Sequence, residues 1–124
     1  MAVAAPLPFK VNEVAKSKIK IGDVKGANNF WNSLILALKN YGKTNKILYN
    51  SKISDLLGVY YYTQINENFS SGDAAIGVKV TSNFIDDINK GLANKKELEA
   101  IIYFAAENAY FLNDIKSLQL FYNS

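Results

Sequence analysis

The sequence predicts a mainly α protein: a single four-helix-type bundle over residues 28–124, preceded by an extended basic and apolar arm over residues 1–27. Three observations carry this. Apolar residues recur at i, i+3, i+4 and i+7 in four stretches. Each stretch is bounded by residues suited to helix ends. The chain has 124 residues, of which 49% are hydrophobic and 13% aromatic, enough for one compact core and too few for two domains.

In the arm, Pro6 and Pro8 fix their own φ angles and push the preceding residues toward extended backbone. Val3, Leu7, Phe9 and Val11 are too many apolar residues for a solvated tail, so this segment is expected to pack on something. In Ser17-Lys18-Ile19-Lys20-Ile21 apolar residues alternate with polar ones, the period of a short strand. Gly22, Asp23 and Gly26 then read as a loop.

Asn28 or Asn29 can cap a first helix whose Phe30, Trp31, Leu34, Ile35, Leu38 and Tyr41 share a face, with Gly42 placed as the residue just past its end. Residues 43–53 hold one or two helical turns around Ile47, Leu48 and Tyr49. Ser54 offers a cap for a second helix reaching about Phe69, burying Leu57, Tyr61, Ile65 and Phe69 at four-residue steps; Gly58 weakens its first turn. Ser70, Ser71 and Gly72 interrupt, and Asp73 caps a third helix with Ile76, Val80, Phe84, Ile88 and Leu92 four apart, ending near Gly91. Ile76, Val78 and Val80 also alternate, which leaves open one short β-strand pair between this region and residues 18–21. Asn94 with Glu97 three residues on resembles a capping box. It opens a fourth helix with Leu98, Ile101, Ile102, Ala105, Ala109 and Leu112 on one face, running to Tyr122 or bending at Asn113-Asp114.

The absences in the composition restrict the chemistry. The chain has no Cys, no His and no Arg; all 14 basic residues are Lys, beside 15 Asn and 8 Tyr. Disulfides and thiolate nucleophiles are thereby excluded, and zinc, haem and iron–sulfur sites lose their usual ligands. No metal and no cofactor is expected, and the commonest general base near neutral pH is missing. An excess of Lys, Asn, Ile and Tyr without Arg matches AT-rich codons and suggests a viral, phage or low-GC microbial source. No apolar run is long enough to span a membrane, and Met1 to Phe9 is too short and proline-broken for a signal-peptide core.

Charge is unevenly distributed. Residues 1–52 hold nine Lys against Glu13 and Asp23, whereas residues 53–124 hold five Lys against nine carboxylates. Such asymmetry suits a basic segment lying on a polyanion, or head-to-tail contact between identical subunits.

The carboxylates Asp86, Asp87, Glu97, Glu99, Glu107 and Asp114 are the groups available for acid–base work. Glu97 and Glu99 suit a helix first turn, and Glu107 and Asp114, seven apart, would share one helical face. Ser17-x-x-Lys20 falls on a strand-like segment instead of the helix that a Ser-Lys enzyme requires. There is no glycine-rich phosphate loop. Asn68-Phe69-Ser70 fits the N-glycosylation pattern but is expected to be a helix end. The chain is therefore not expected to be an enzyme.

The aromatic residues suggest contact surfaces. Of Tyr60, Tyr61 and Tyr62, about 100° apart on a helix, at most two can face the core, and Tyr103 and Tyr110 lie seven apart opposite the buried face of their helix. Tyr is enriched in interfaces. Subunit contacts are accordingly expected at Leu7, Phe9, Tyr60, Tyr62, Tyr103 and Tyr110. Lys10, Lys16, Lys18, Lys20 and Lys25 are expected to meet nucleic acid, without sequence specificity because Arg is missing, or an acidic neighbour. The best-fitting function is a self-associating structural subunit of the virion or coat type, in the virion or host cytoplasm. The alternative is a small helical binding module of immunity, inhibitor or adaptor type that engages an acidic protein.

Overall fold

The computed structural model describes residues 23–44 and 51–124. The protein is mostly helical, and the described residues contain no strand. In chain order come α1 (Val24–Thr44), α2 (Ser51–Ser70), α3 (Ala74–Asn89), a 3-10 helix (Lys95–Ala100), α4 (Ile102–Phe111) and α5 (Ile115–Tyr122). The alternation of Ile76, Val78 and Val80 lies inside α3, so no strand forms there; residues 18–21 lie outside the described residues.

The helices stack in sequence order. α1 packs on α2, α2 on α3, and α3 on both α4 and α5, which pack on each other; the 3-10 helix closes one side against α2, α3 and α4. α2 therefore has a neighbour on each side. Its two flanks bury different residues: Tyr60 meets Trp31 of α1 with ring centroids 5.8 Å apart, while Tyr61 stacks on Phe84 of α3 at 5.1 Å. α3 is enclosed in the same way, burying Val78, Val80, Phe84 and Ile85. That enclosure explains the period-two pattern, because residues two apart project into neighbours on different sides.

α1 begins earlier than its apolar spacing predicts. Asp23 accepts a hydrogen bond from the Gly26 N–H at 2.8 Å and its carbonyl accepts from Ala27 N, so Asp23, not Asn28 or Asn29, acts as the cap. Gly42 does not end the helix; it is buried inside it. α2 likewise starts ahead of Ser54, and Gly58 lies close under the 3-10 region: a Cβ there would approach the Asn94 carbonyl oxygen to 2.9 Å.

Three helix ends share one construction. After α2, α3 and α4 the chain passes through a left-handed residue, Gly72 (φ 86°), Gly91 (φ 78°) and Asn113 (φ 58°). The next amide bonds back across the last turn: Asp73 N to Asn68 O, Leu92 N to Asp87 O and Asp114 N to Ala109 O. These are Schellman ends, which satisfy carbonyls that would otherwise lack donors. Asp73 and Asp114 each also cap the following helix, accepting from Ile76 N and Ser117 N. Ending one helix and starting the next at a single residue keeps the connections short.

The fourth predicted helix is divided into three pieces. Asn94 accepts from Lys96 N, and the chain begins as a 3-10 turn. With three residues per turn this places Leu98 and Ile101 on one side, after which α-helical spacing aligns Ile101, Ala105 and Ala109; all four are buried. Leu112 is expected in the core but is 45% exposed, because α4 has already ended at Phe111 and the chain turns through Asn113.

Gly72 has open space around the position a Cβ would take. A Gly72→Ala substitution therefore isolates the cost of a left-handed backbone, roughly 1–2 kcal/mol, and should lower the thermal midpoint measured by circular dichroism without altering helix content.

Candidate functional site

The polar residues of α1, α2 and α3 form two buried clusters. In the first, the carboxamides of Asn28 and Asn68 face each other: Asn28 Nδ2 donates to Asn68 Oδ1 at 2.8 Å and Asn68 Nδ2 donates to Asn28 Oδ1 at 2.7 Å. Gln64 Nε2 adds bonds to Asn28 Oδ1 and Asn32 Oδ1, each 3.0 Å, and Trp31 Nε1 donates to Glu67 Oε1 at 2.9 Å. The arrangement is a structural seam between α1 and α2. Asn68, the asparagine of the glycosylation pattern, is 1% exposed, so it is no acceptor for a glycan in the folded chain.

In the second cluster Asp87, 3% exposed, accepts from Tyr61 Oη at 2.5 Å and from Lys39 Nζ at 2.9 Å. One carboxylate oxygen thus joins α1, α2 and α3. Burial, then the bond to Asp87, then the negative charges of Asp87 and Asp86 hold the Tyr61 hydroxyl well above the ordinary tyrosine range. Burial alone raises that of Tyr60.

Two depressions are lined by ionisable groups. One, about 280 Å3, lies between α1 and α3 with Tyr61 at its floor and Lys39, Asp86, Asp87 and Lys90 around it. The other, about 760 Å3, is a groove between α3 and α5 lined by Lys79, Ser82, Asp86, Asp114, Lys116 and Ser117, among others. The carboxylates considered for acid–base chemistry are spread apart in role. Asp87 is held in an ion pair, Asp114 caps α5 and is kept below its usual range by two bonds from Ser117, and Glu99 and Glu107 are exposed. Glu107 and Asp114 do not share a helical face, because the chain turns at Asn113 between them. Among the described residues no group of three or more acidic or other ligating side chains is placed to hold a metal, and no helix is long and apolar enough to cross a membrane.

The surface of α4 and its turn into α5 is the most unusual feature. Tyr103, Phe104, Tyr110, Phe111, Leu112 and Ile115 are exposed, Tyr103 by 85% and Phe111 by 76%. The helix faces inward with alanines, Ala105 and Ala109, both fully buried, and outward with aromatic rings, the reverse of ordinary helix amphipathicity. The rings are ordered by contacts within the chain: Phe104 meets Phe69 edge-on at 5.0 Å and Tyr110 meets Phe111 at 5.6 Å. Glu107, exposed and three or four residues from each of Tyr103, Phe104, Tyr110 and Phe111, lies on the same side of α4, so the aromatic face carries a negative charge.

Of the residues expected at subunit contacts, Tyr103 and Tyr110 lie on this face. Tyr60 requires correction: its ring is 1% exposed and packed on Trp31, so it offers no surface to a neighbour, because α2 has a core on both flanks. Tyr62 is half-buried against the same core. Lys25 is exposed in the first turn of α1; Leu7, Phe9, Lys10, Lys16, Lys18 and Lys20 lie outside the described residues. Phe104, Phe111, Leu112 and Ile115 were not expected on a surface. The repeat Tyr103-Phe104 and Tyr110-Phe111, seven residues apart, is the signal that marks them. Compared with models of known families, with curated proteins and with solved structures, the chain matches none.

Replacing Asn68 by Leu should remove two of the hydrogen bonds of the Asn28 carboxamide, which keeps those to the Val24 carbonyl and from Gln64, and destabilise the protein by roughly 1–3 kcal/mol. Adding Asn28→Leu should recover part of that loss, since both partners then go; urea titration of the single and double variants measures it. The two raised tyrosines predict an alkaline limit to stability. Because the folded chain holds these protons more tightly than the unfolded chain, their contribution is complete below about pH 10 and is lost as pH rises above it. Tyr61→Phe should flatten the fall, measured as melting temperature against pH.

Proposed function

We propose that the chain is a non-enzymatic assembly protein, a self-associating structural subunit that uses the acidic aromatic face of α4 and α5 as its docking surface. The observation that supports this reading is the inversion of α4, with small residues inside and large aromatic ones outside. Nothing in folding asks for it. A helix that needed only to cover its own core would expose polar residues, and contiguous apolar surface on a soluble chain marks an interaction site.

Magnitudes limit how tight such association can be. Fully burying a large apolar side chain is worth roughly 1.5–3 kcal/mol, so six partly exposed ones supply on the order of 5–10 kcal/mol. The loss of rigid-body freedom takes about 4–15 kcal/mol. Association through this face alone is therefore weak and concentration-dependent; a tight complex draws on further surface. The alternative, a module binding one acidic protein through its lysines, draws little from the described body. It holds nine Lys against ten Asp and Glu, with most of the excess positive charge at residues 1–22.

Analytical ultracentrifugation at increasing concentration tests the proposal. The unaltered chain should show mass increasing with concentration, and the doubly substituted Tyr103→Asp, Phe111→Asp chain should sediment as a monomer with unchanged circular dichroism, since both side chains are exposed. A chain that stays monomeric at every concentration, or that associates equally well with both substitutions, overturns it.

A further inference from the structure

We infer that the occupant of the acidic aromatic face is the chain's own apolar N-terminal segment, Val3 to Val11, donated in an assembly by a neighbouring copy. The donor being a neighbour rests on the assembly reading above; the docking itself does not.

Charge decides between this segment and the other obvious occupant, the same face of a second copy. Residues 97–115 carry Glu97, Glu99, Glu107 and Asp114 without any Lys. Glu107 lies among the four rings of α4, and two such faces pressed together would set it against its own copy, an arrangement that like-charge repulsion disfavours. Residues 1–22 hold Lys10, Lys16, Lys18 and Lys20 against Glu13 alone. The apolar part of the segment is followed by the charge that the face lacks.

Length agrees. Leu7, Phe9 and Val11 fall two apart in sequence, and drawn out as an extended segment the stretch from Leu7 to Val11 would measure about 13–14 Å. On α4, Tyr103 and Tyr110, and likewise Phe104 and Phe111, are separated by seven helical residues, about 10.5 Å of rise. A stretch of five extended residues covers that distance.

The place where the segment leaves the bundle agrees as well. Asn28, in the second turn of α1, pairs with Asn68 near the end of α2, and the next residue, Phe69, meets Phe104 at 5.0 Å. Asp23 therefore stands at the end of the bundle where the aromatic face begins. Residues 12–22 can span at most about 36–40 Å, enough to reach the face of the same chain or of an adjoining one.

The experiment compares the full chain with a chain lacking residues 1–11, and adds a labelled synthetic peptide of residues 1–12 to the truncated chain. Sedimentation gives mass, hydrogen exchange gives protection of residues 102–115, and fluorescence anisotropy gives peptide binding. The expected result is loss of assembly on truncation and saturable binding of the peptide. Binding should weaken about tenfold or more in Phe111→Lys and weaken with added salt. Lys10→Glu in the peptide should weaken it too, and circular dichroism checks that each variant is folded. A full chain that is monomeric yet protected over residues 102–115, with protection lost on truncation, supports the docking and overturns the assembly reading. A truncated chain that assembles as the full chain does, or a peptide that binds Phe111→Lys equally well, overturns the docking and leaves the assembly reading standing.

Discussion

The position of α1 depends on one pair of carboxamides. α1 packs against a single helix, α2, and at one end of that seam Asn28 and Asn68 exchange two hydrogen bonds in a buried setting. An apolar seam would tolerate sliding by a turn. A reciprocal amide pair does not, because any shift leaves buried donors and acceptors without partners, at a cost that exceeds the modest gain of a normal bond. Trp31 to Glu67 and Lys39 to Asp87 fix the same register further along the helix. Three polar contacts thus hold α1 at one depth and one rotation, and with it Asp23, the point at which the basic segment enters the body of the protein.

α2 is the element that makes this possible. Because it is sandwiched, its two flanks do different work: one is aromatic and polar toward α1, the other aromatic and aliphatic toward α3. The run of three tyrosines makes sense only in this setting. Tyr60 and Tyr61 serve opposite neighbours; burial raises both hydroxyl pKa values, and Asp87 raises that of Tyr61 further.

The bundle was legible because four-residue spacing and end signals such as Gly72-Asp73 act locally. What escaped was of two kinds. The cap at Asp23 was hidden by Gly26 and by a polar first turn, so the apolar pattern appeared to begin at Phe30. Asn28 read as a cap because Asn is a capping residue; its role as a buried partner of Asn68, forty residues away, has no local signature. On α4 the misreading came from carrying one helical spacing too far. Leu112 was placed on the buried face with Ala105 and Ala109, yet the helix ends at Phe111 and the chain turns at Asn113, which leaves Leu112 exposed.

The separation of charge has a consequence for the kind of assembly such a chain could build. The described body is close to neutral, with four of its ten carboxylates between residues 97 and 115, whereas residues 1–22 hold four Lys against one Glu; in the proposed docking the basic segment meets Glu107 on a different part of the molecule. A surface that pairs with itself gives closed two-fold dimers. A donor segment that pairs with a distant receptor face is heterologous, and repeats until a ring closes or a filament grows. Which of these results is set by the angle between donor and receptor, and hence by the register of α1, because α1 carries the donor into the bundle. The Asn28–Asn68 pair, buried beneath the surface, would then govern the geometry of the array.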